Sequence, residues 1–178
     1  MKPDDASLTP GTLIDGARMY AAAADAVNDK LPNAVHVLSH MLGMSIELAL
    51  KAHLLHSGVS RSELKNLGHR LGTLLDKSIQ LGLTETGSRN FRIKVLSPNY
   101  EQRLFGYPEE GNMVIIIPRS LRQIADEIIR EVFARVKGIQ DFESCKADPG
   151  LCIQSLYPED VLPSGWTGKR SADPDPQE

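Results

Sequence analysis

The chain has 178 residues and a formal net charge of −3 at neutral pH, with 41% hydrophobic and 5% aromatic residues. This is enough for one domain with some extra length, its core drawn mainly from Leu, Ile, Val, Ala and Met and needing no disulfide or metal staples. No apolar run approaches the ~20 residues of a membrane span, and the N-terminus M-K-P-D-D-A-S-L has no signal-peptide core, so the expected location is the cytoplasm.

Residues 1–9 read as an N-terminal tail and 10–138 as one helical bundle. The first helix is expected to start at Thr9, with Pro10 in the first helical position, where its missing N–H costs nothing. Leu13, Ala17, Tyr20 or Ala21, Ala24 and Val27 then recur at helical spacing, through an alanine run at 21–24. Pro32-Asn33 breaks the pattern. A second helix follows from about Asn33 to Ser57. Val35, Leu38, Leu42, Ile46, Ala49 and Ala52 form its main stripe, widened by Val37, Met41, Met44, Leu48 and Leu55. A helix apolar over so much of its girth is central in a bundle. Its breadth predicts a further partner, a second copy of the chain. Gly58 is a natural stop.

Ser60 and Glu63 make a capping box that opens a third helical region, 60–81, with a break at Gly68. Thr84 to Leu96 reads as a fourth helix with Phe91, Val95 and Leu96 facing inward, although F-R-I-K-V also alternates as a strand would. Pro98-Asn99 predicts a break. Arg103 to Tyr107, the turn P-E-E-G-N and the β-branched run Val114 to Ile117 then read as a small β-hairpin over about 102–117. Pro118 to Lys137 is the last strong helix, stopped by Gly138. The segment 139–164 is expected to dock on the bundle through L-C-I-Q-S-L-Y, and 165–178 to be a disordered tail. The fold class is therefore all-α: an antiparallel up-and-down bundle of four to five helices with a hairpin insertion. Cys145 and Cys152 are expected to be free thiols in a reducing compartment.

Charge is unevenly spread. Residues 61–103 hold eight bases and four acids, +4, whereas 141–178 hold three bases and eight acids, −5. A basic middle is compatible with an anionic ligand or with a solvated mixed surface. Glu47 and Lys51 are the charges embedded in the apolar second helix, four residues apart in the favourable order. Their spacing fits an exposed pair or a pair facing a polar cleft. His69 follows Gly68 at a helix start, where its ring can pack at the turn or meet a ligand. Arg103 offers a planar fork for phosphate and Tyr107 a stacking face, or both cover the side of a hairpin. His36 with His40, and His53 with His56, have chelating separations but lack a third ligand, so no metal and no cofactor are expected. No nucleotide-loop, nucleophile-elbow or zinc-protease motif occurs.

The run S-I-E-L-A-L-K-A-H-L-L-H-S-G-V-S-R-S-E-L-K-N-L-G-H-R-L, with its G-H-x-L element, and the later Y-E-Q-R-L-F-G-Y-P resemble the HEPN family (higher eukaryote and prokaryote nucleotide-binding). The resemblance spans roughly residues 10–137 and is strongest at 38–78. It implies a helical bundle with Glu47 and Lys51 near a polar cleft. Glu47, Lys51, His69, Arg103 and Tyr107 are then the candidate ligand contacts, and no residue is assigned to catalysis. Active ribonucleases of the family carry an arginine and, after four to six intervening residues, a histidine at the start of the last helix. Here that helix begins P-R-S-L-R-Q-I-A-D, without histidine. The resemblance thus implies a module without catalysis that binds nucleotide or RNA, or a nucleotidyltransferase-type protein partner. The alternatives are a ligand-free homodimer of a toxin–antitoxin or defence pair, and a divergent ribonuclease.

Overall fold

The structure, a computed structural model, describes residues 8–105 and 118–138. They form six helices: α1 (Pro10–Lys30), α2 (Val35–His56), α3 (Arg61–Leu67), α4 (Leu71–Gln80), α5 (Gly87–Glu101) and α6 (Pro118–Lys137). Thr9 caps α1, its hydroxyl accepting from the Thr12 amide at 3.1 Å, with Pro10 just inside. Ser60 caps α3 in the same way through the Glu63 amide at 3.2 Å. Between α3 and α4 the chain turns at Gly68, whose φ of +60° is open to glycine without steric cost. All these residues lie in the unit Met1–Gln140; the unit Asp141–Glu178, which includes L-C-I-Q-S-L-Y, lies outside the described residues.

α2 is the centre, packed by α1 and α6 on one side and by α3 and α4 on another. Leu38, Leu42, Ile46, Ala49, Leu50 and Leu54 are each at most 1% exposed. The Ser45 hydroxyl donates to the Ala17 carbonyl at 2.8 Å, tying α2 to α1 without leaving its own group unpaired. The apolar girth of α2 is thus used largely within the chain. Among the described residues no helix is long and apolar enough to cross a membrane.

α5 is a helix through the F-R-I-K-V run, as the sequence reading has it rather than the strand alternative. It departs from that reading in not stopping at Pro98-Asn99 but continuing to Glu101. Proline removes one donor, to the Lys94 carbonyl, close to the helix end where few intrahelical bonds remain to be lost. The turn beyond is closed by backbone bonds from Gln102 to Pro98 at 3.1 Å and from Leu104 to Asn99 at 3.0 Å. Phe91, expected inward, is 69% exposed. The buried side is set by Arg89, Ile93, Leu96 and Tyr100, and Phe91 lies across the helix from them. Residues 102–105 are turn, not the start of a hairpin, and no strand occurs among the described residues; the rest of the expected hairpin, 106–117, lies outside them.

The loop from α4 to α5 is clamped to α6 by Glu131. Its carboxylate accepts from the Thr84 amide and hydroxyl, both at 2.8 Å, and from Arg135 at 2.8 Å. Arg135 also donates to the Gly82 carbonyl at 2.7 Å, and buried Arg89 donates to the Thr84 carbonyl. Under this clamp His53 is 1% exposed, with Nε2 donating to the Ser78 carbonyl at 3.2 Å and Nδ1 without a partner among the described residues. Burial, then the Arg135 charge, lowers its pKa below the ordinary 6.5.

Folded His53 stays neutral while the unfolded chain takes up a proton near 6.5, so the stability it contributes is full above that pH. It is lost as pH falls from there through the folded pKa. Chemical denaturation should show wild type losing stability between about pH 7 and pH 5, by ~1 kcal/mol for each unit separating the two pKa values. The His53→Gln variant keeps a donor for Ser78 and should lose distinctly less over that range. Equal losses in the two proteins would contradict the assignment.

Candidate functional site

The second helix carries Glu47 into the interior because its neighbours Leu42, Ile46, Ala49 and Leu50 must be buried. Glu47 itself is 2% exposed. Its carboxylate is met by three donors from three places in the chain. Lys51, one turn on, donates from Nζ to Oε1 at 2.6 Å. His69, delivered by the Gly68 turn, places Nδ1 2.9 Å from Oε2. Tyr100, near the end of α5, donates its hydroxyl to Oε2 at 2.8 Å.

Tyr100 reaches the carboxylate across Gly43. The glycine sits one turn before Glu47 on α2, and the phenol ring packs directly against it: a Cβ there would come within 2.5 Å of the ring. His40 flanks the ring at 6.2 Å between centroids, and Met44 Sδ lies 2.9 Å from the hydroxyl. The single phenolic proton goes to the carboxylate, the stronger acceptor.

Burial alone would raise the Glu47 pKa. The hydrogen bonds from Lys51 and His69, the Lys51 charge and the Tyr100 hydroxyl together outweigh it and hold the group below its ordinary value. Burial, and then the Glu47 charge, push the Tyr100 phenol well above its ordinary range, so it remains a donor. The centre is therefore a charged carboxylate with its lone pairs occupied. Lys51 is mostly covered, at 17% side-chain exposure, whereas the His69 side chain is half exposed. The His69 ring nitrogen not turned to Glu47, Nε2, hydrogen-bonds to nothing among the described residues.

Of the five residues singled out in the sequence, Glu47, Lys51 and His69 meet within hydrogen-bonding distance. Arg103 does not join them. It follows α5 with φ +56°, exposed, and its charge is felt at Tyr100. Tyr107 lies outside the described residues. The sequence reading missed Tyr100 and Gly43. Tyr100 stood out only as an aromatic before the expected hairpin, and its role depends on α5 continuing through Pro98. Among the described residues no group of three His, Cys, Asp or Glu side chains could hold a metal ion.

Comparison of the chain with family models, with curated proteins and with solved structures finds no match. The site is therefore read from its own geometry.

Two substitutions test that geometry by urea denaturation. Gly43→Ala should cost about 1–3 kcal/mol, because the methyl group displaces the ring. Tyr100→Phe should cost about 1.5–3 kcal/mol through the lost bond to a charged acceptor. In a Tyr100→Ala background, Gly43→Ala should cost almost nothing. The same cost in both backgrounds would show that Gly43 does not serve Tyr100.

Proposed function

We propose that the chain is a HEPN-like module without catalysis that binds a nucleotide or a short RNA at the rim of the Glu47 cluster. The observation that carries this reading is the saturated, charged carboxylate beneath two outward-leading cationic or donor groups. Lys51 neutralises Glu47, so the rim is not repulsive to an anion. The exposed part of His69 adds a donor or acceptor for phosphate or a ribose hydroxyl. Arg103, just past Tyr100 and in no ion pair among the described residues, adds a charge near the cluster. A carboxylate with three donors and a lowered pKa is a poor proton acceptor, which argues against Glu47 as a general base. Family resemblance alone adds a nucleotidyltransferase-type protein as the other occupant of such a module.

One observation favours a second reading, a divergent ribonuclease. With Nδ1 held by Glu47, a neutral His69 ring has its lone pair on Nε2, the exposed nitrogen, as a general base requires. That nitrogen would take the 2′-hydroxyl proton as the oxygen attacks the adjacent phosphorus, and the 5′-oxygen would leave with a proton from water.

Fluorescence titration with ATP and with a short labelled RNA separates these readings. Binding of either is expected at low salt, weakening about tenfold between about 50 and 200 mM salt for two to three phosphate contacts. Arg103→Ala, at an exposed site that leaves the core intact, should weaken it severalfold; Lys51→Met should weaken it further. No binding of either ligand at low salt overturns the module reading. Cleavage of the RNA to a 2′,3′-cyclic phosphate, abolished in His69→Ala, would replace it with the second.

A further inference from the structure

On the side of α2 away from Glu47 the packing leaves a cavity. Leu38 and Glu47 are nine residues apart, half a turn round the helix, so the two places share no face. Here α1, α2 and the start of α6 enclose a partly open volume of about 200 Å³. Its floor is apolar: Ala24 from α1 with Leu38 and Leu42 from α2, each at most 2% exposed. Its rim is polar. Asp25 and Asn28 follow Ala24 on α1, and Arg119 and Arg122 lie three residues apart on α6.

The charges of the rim are unequally engaged. Arg122 holds Asp25 with two parallel bonds, Nε to Oδ1 at 2.8 Å and Nη2 to Oδ2 at 3.0 Å. Its remaining nitrogen, Nη1, meets Asp126 at 3.2 Å. Both oxygens of Asp25 therefore already have a donor. Arg119 is exposed, and its side chain makes no hydrogen bond or ion pair among the described residues; the same holds for the side chain of Asn28. The lining holds one acid and two bases, so one positive charge is left over, and it is that of Arg119.

We propose that this cavity binds a small organic carboxylate whose apolar body is the size of a single ring. Size selects the body: an apolar cavity of about 150 Å³ takes a benzene ring, and about 200 Å³ accommodates that ring with its carboxylate and little more. Charge selects the head. A monoanion balances Arg119, whereas a cation meets that arginine with no free acid to receive it, because Asp25 is held by Arg122. Arg122 also masks the carboxylate of Asp25, which would otherwise repel the ligand. The planar fork of Arg119 matches a carboxylate through two parallel bonds, and the Asn28 amide offers a further donor. The ring then covers Leu38 and Leu42 from water. This site is separate from the Glu47 cluster and does not rest on the nucleotide reading.

Methyl-resolved NMR of the full chain reads the cavity directly, since two of its floor residues are leucines. Benzoate, benzyl alcohol and benzylamine share the ring and differ in charge. Benzoate is expected to shift the Leu38 and Leu42 methyl signals saturably, with half-saturation on the order of 1 mM. Benzyl alcohol should bind about tenfold more weakly, for want of the charge-assisted bonds, and benzylamine more weakly still. Arg119→Glu, at an exposed position, should keep the wild-type melting temperature and reverse the order, benzylamine above benzoate. No saturable shift with benzoate up to about 20 mM overturns the proposal. Equal binding of the three probes to wild type, or the wild-type order kept in Arg119→Glu, overturns the assignment of a carboxylate held by Arg119.

Discussion

A buried carboxylate has to be answered by the rest of the fold. Ionised and unpaired, the Glu47 side chain would carry a desolvation penalty of several kcal/mol. Each of its three donors is a bond to a charged acceptor, contributing ~1.5–3 kcal/mol while its partner is in place. The donors come from 4, 22 and 53 residues along the chain. One charge therefore fixes three separate things: the Lys51 rotamer, the path of the α3–α4 junction, and the end of α5. Loss of a single donor leaves the carboxylate charged in the interior, held by the other two.

The position of this carboxylate follows from the packing of α2. With α1, α3, α4 and α6 against it, that helix has only a narrow side left for anything but side-chain packing. Gly43 and Glu47 lie one turn apart on that side. The glycine makes room for an aromatic ring, and the glutamate gives the ring's hydroxyl a partner. Glu131 plays the corresponding part at the other end, holding the α4–α5 loop to α6 through Thr84 and Arg135. The loop and both ends of α5 are thus pinned by carboxylates, which compensates for a helix whose sequence is weakly amphipathic and contains a proline.

Much of this was legible in the sequence where periodicity and capping agreed. α1 with Thr9 and Pro10, the apolar α2, the break at Gly68 and the last helix are short-range facts, written in spacings of three and four residues. The pair Glu47 and Lys51 was visible for the same reason, and His69 through the glycine before it. α5 was not legible. Its apolar positions fit a strand as well as a helix, and Pro98 argued for a stop. What settles it is long-range: Leu96 and Ile93 find cover in the bundle, and Tyr100 finds a glycine and a carboxylate more than fifty residues upstream. No local pattern encodes that meeting.

One carboxylate holds two distant segments of the chain together. Amide hydrogen exchange in Glu47→Gln against wild type measures this directly. The neutral amide loses the charge that Lys51, His69 and Tyr100 all share. The Gly68–Leu71 junction and the Asn99–Leu104 turn should both exchange faster, by a similar factor, while the Gly82–Thr84 loop clamped by Glu131 keeps its wild-type rate. Faster exchange confined to one of the two segments, or spread evenly over the whole bundle, would contradict a shared carboxylate as the constraint.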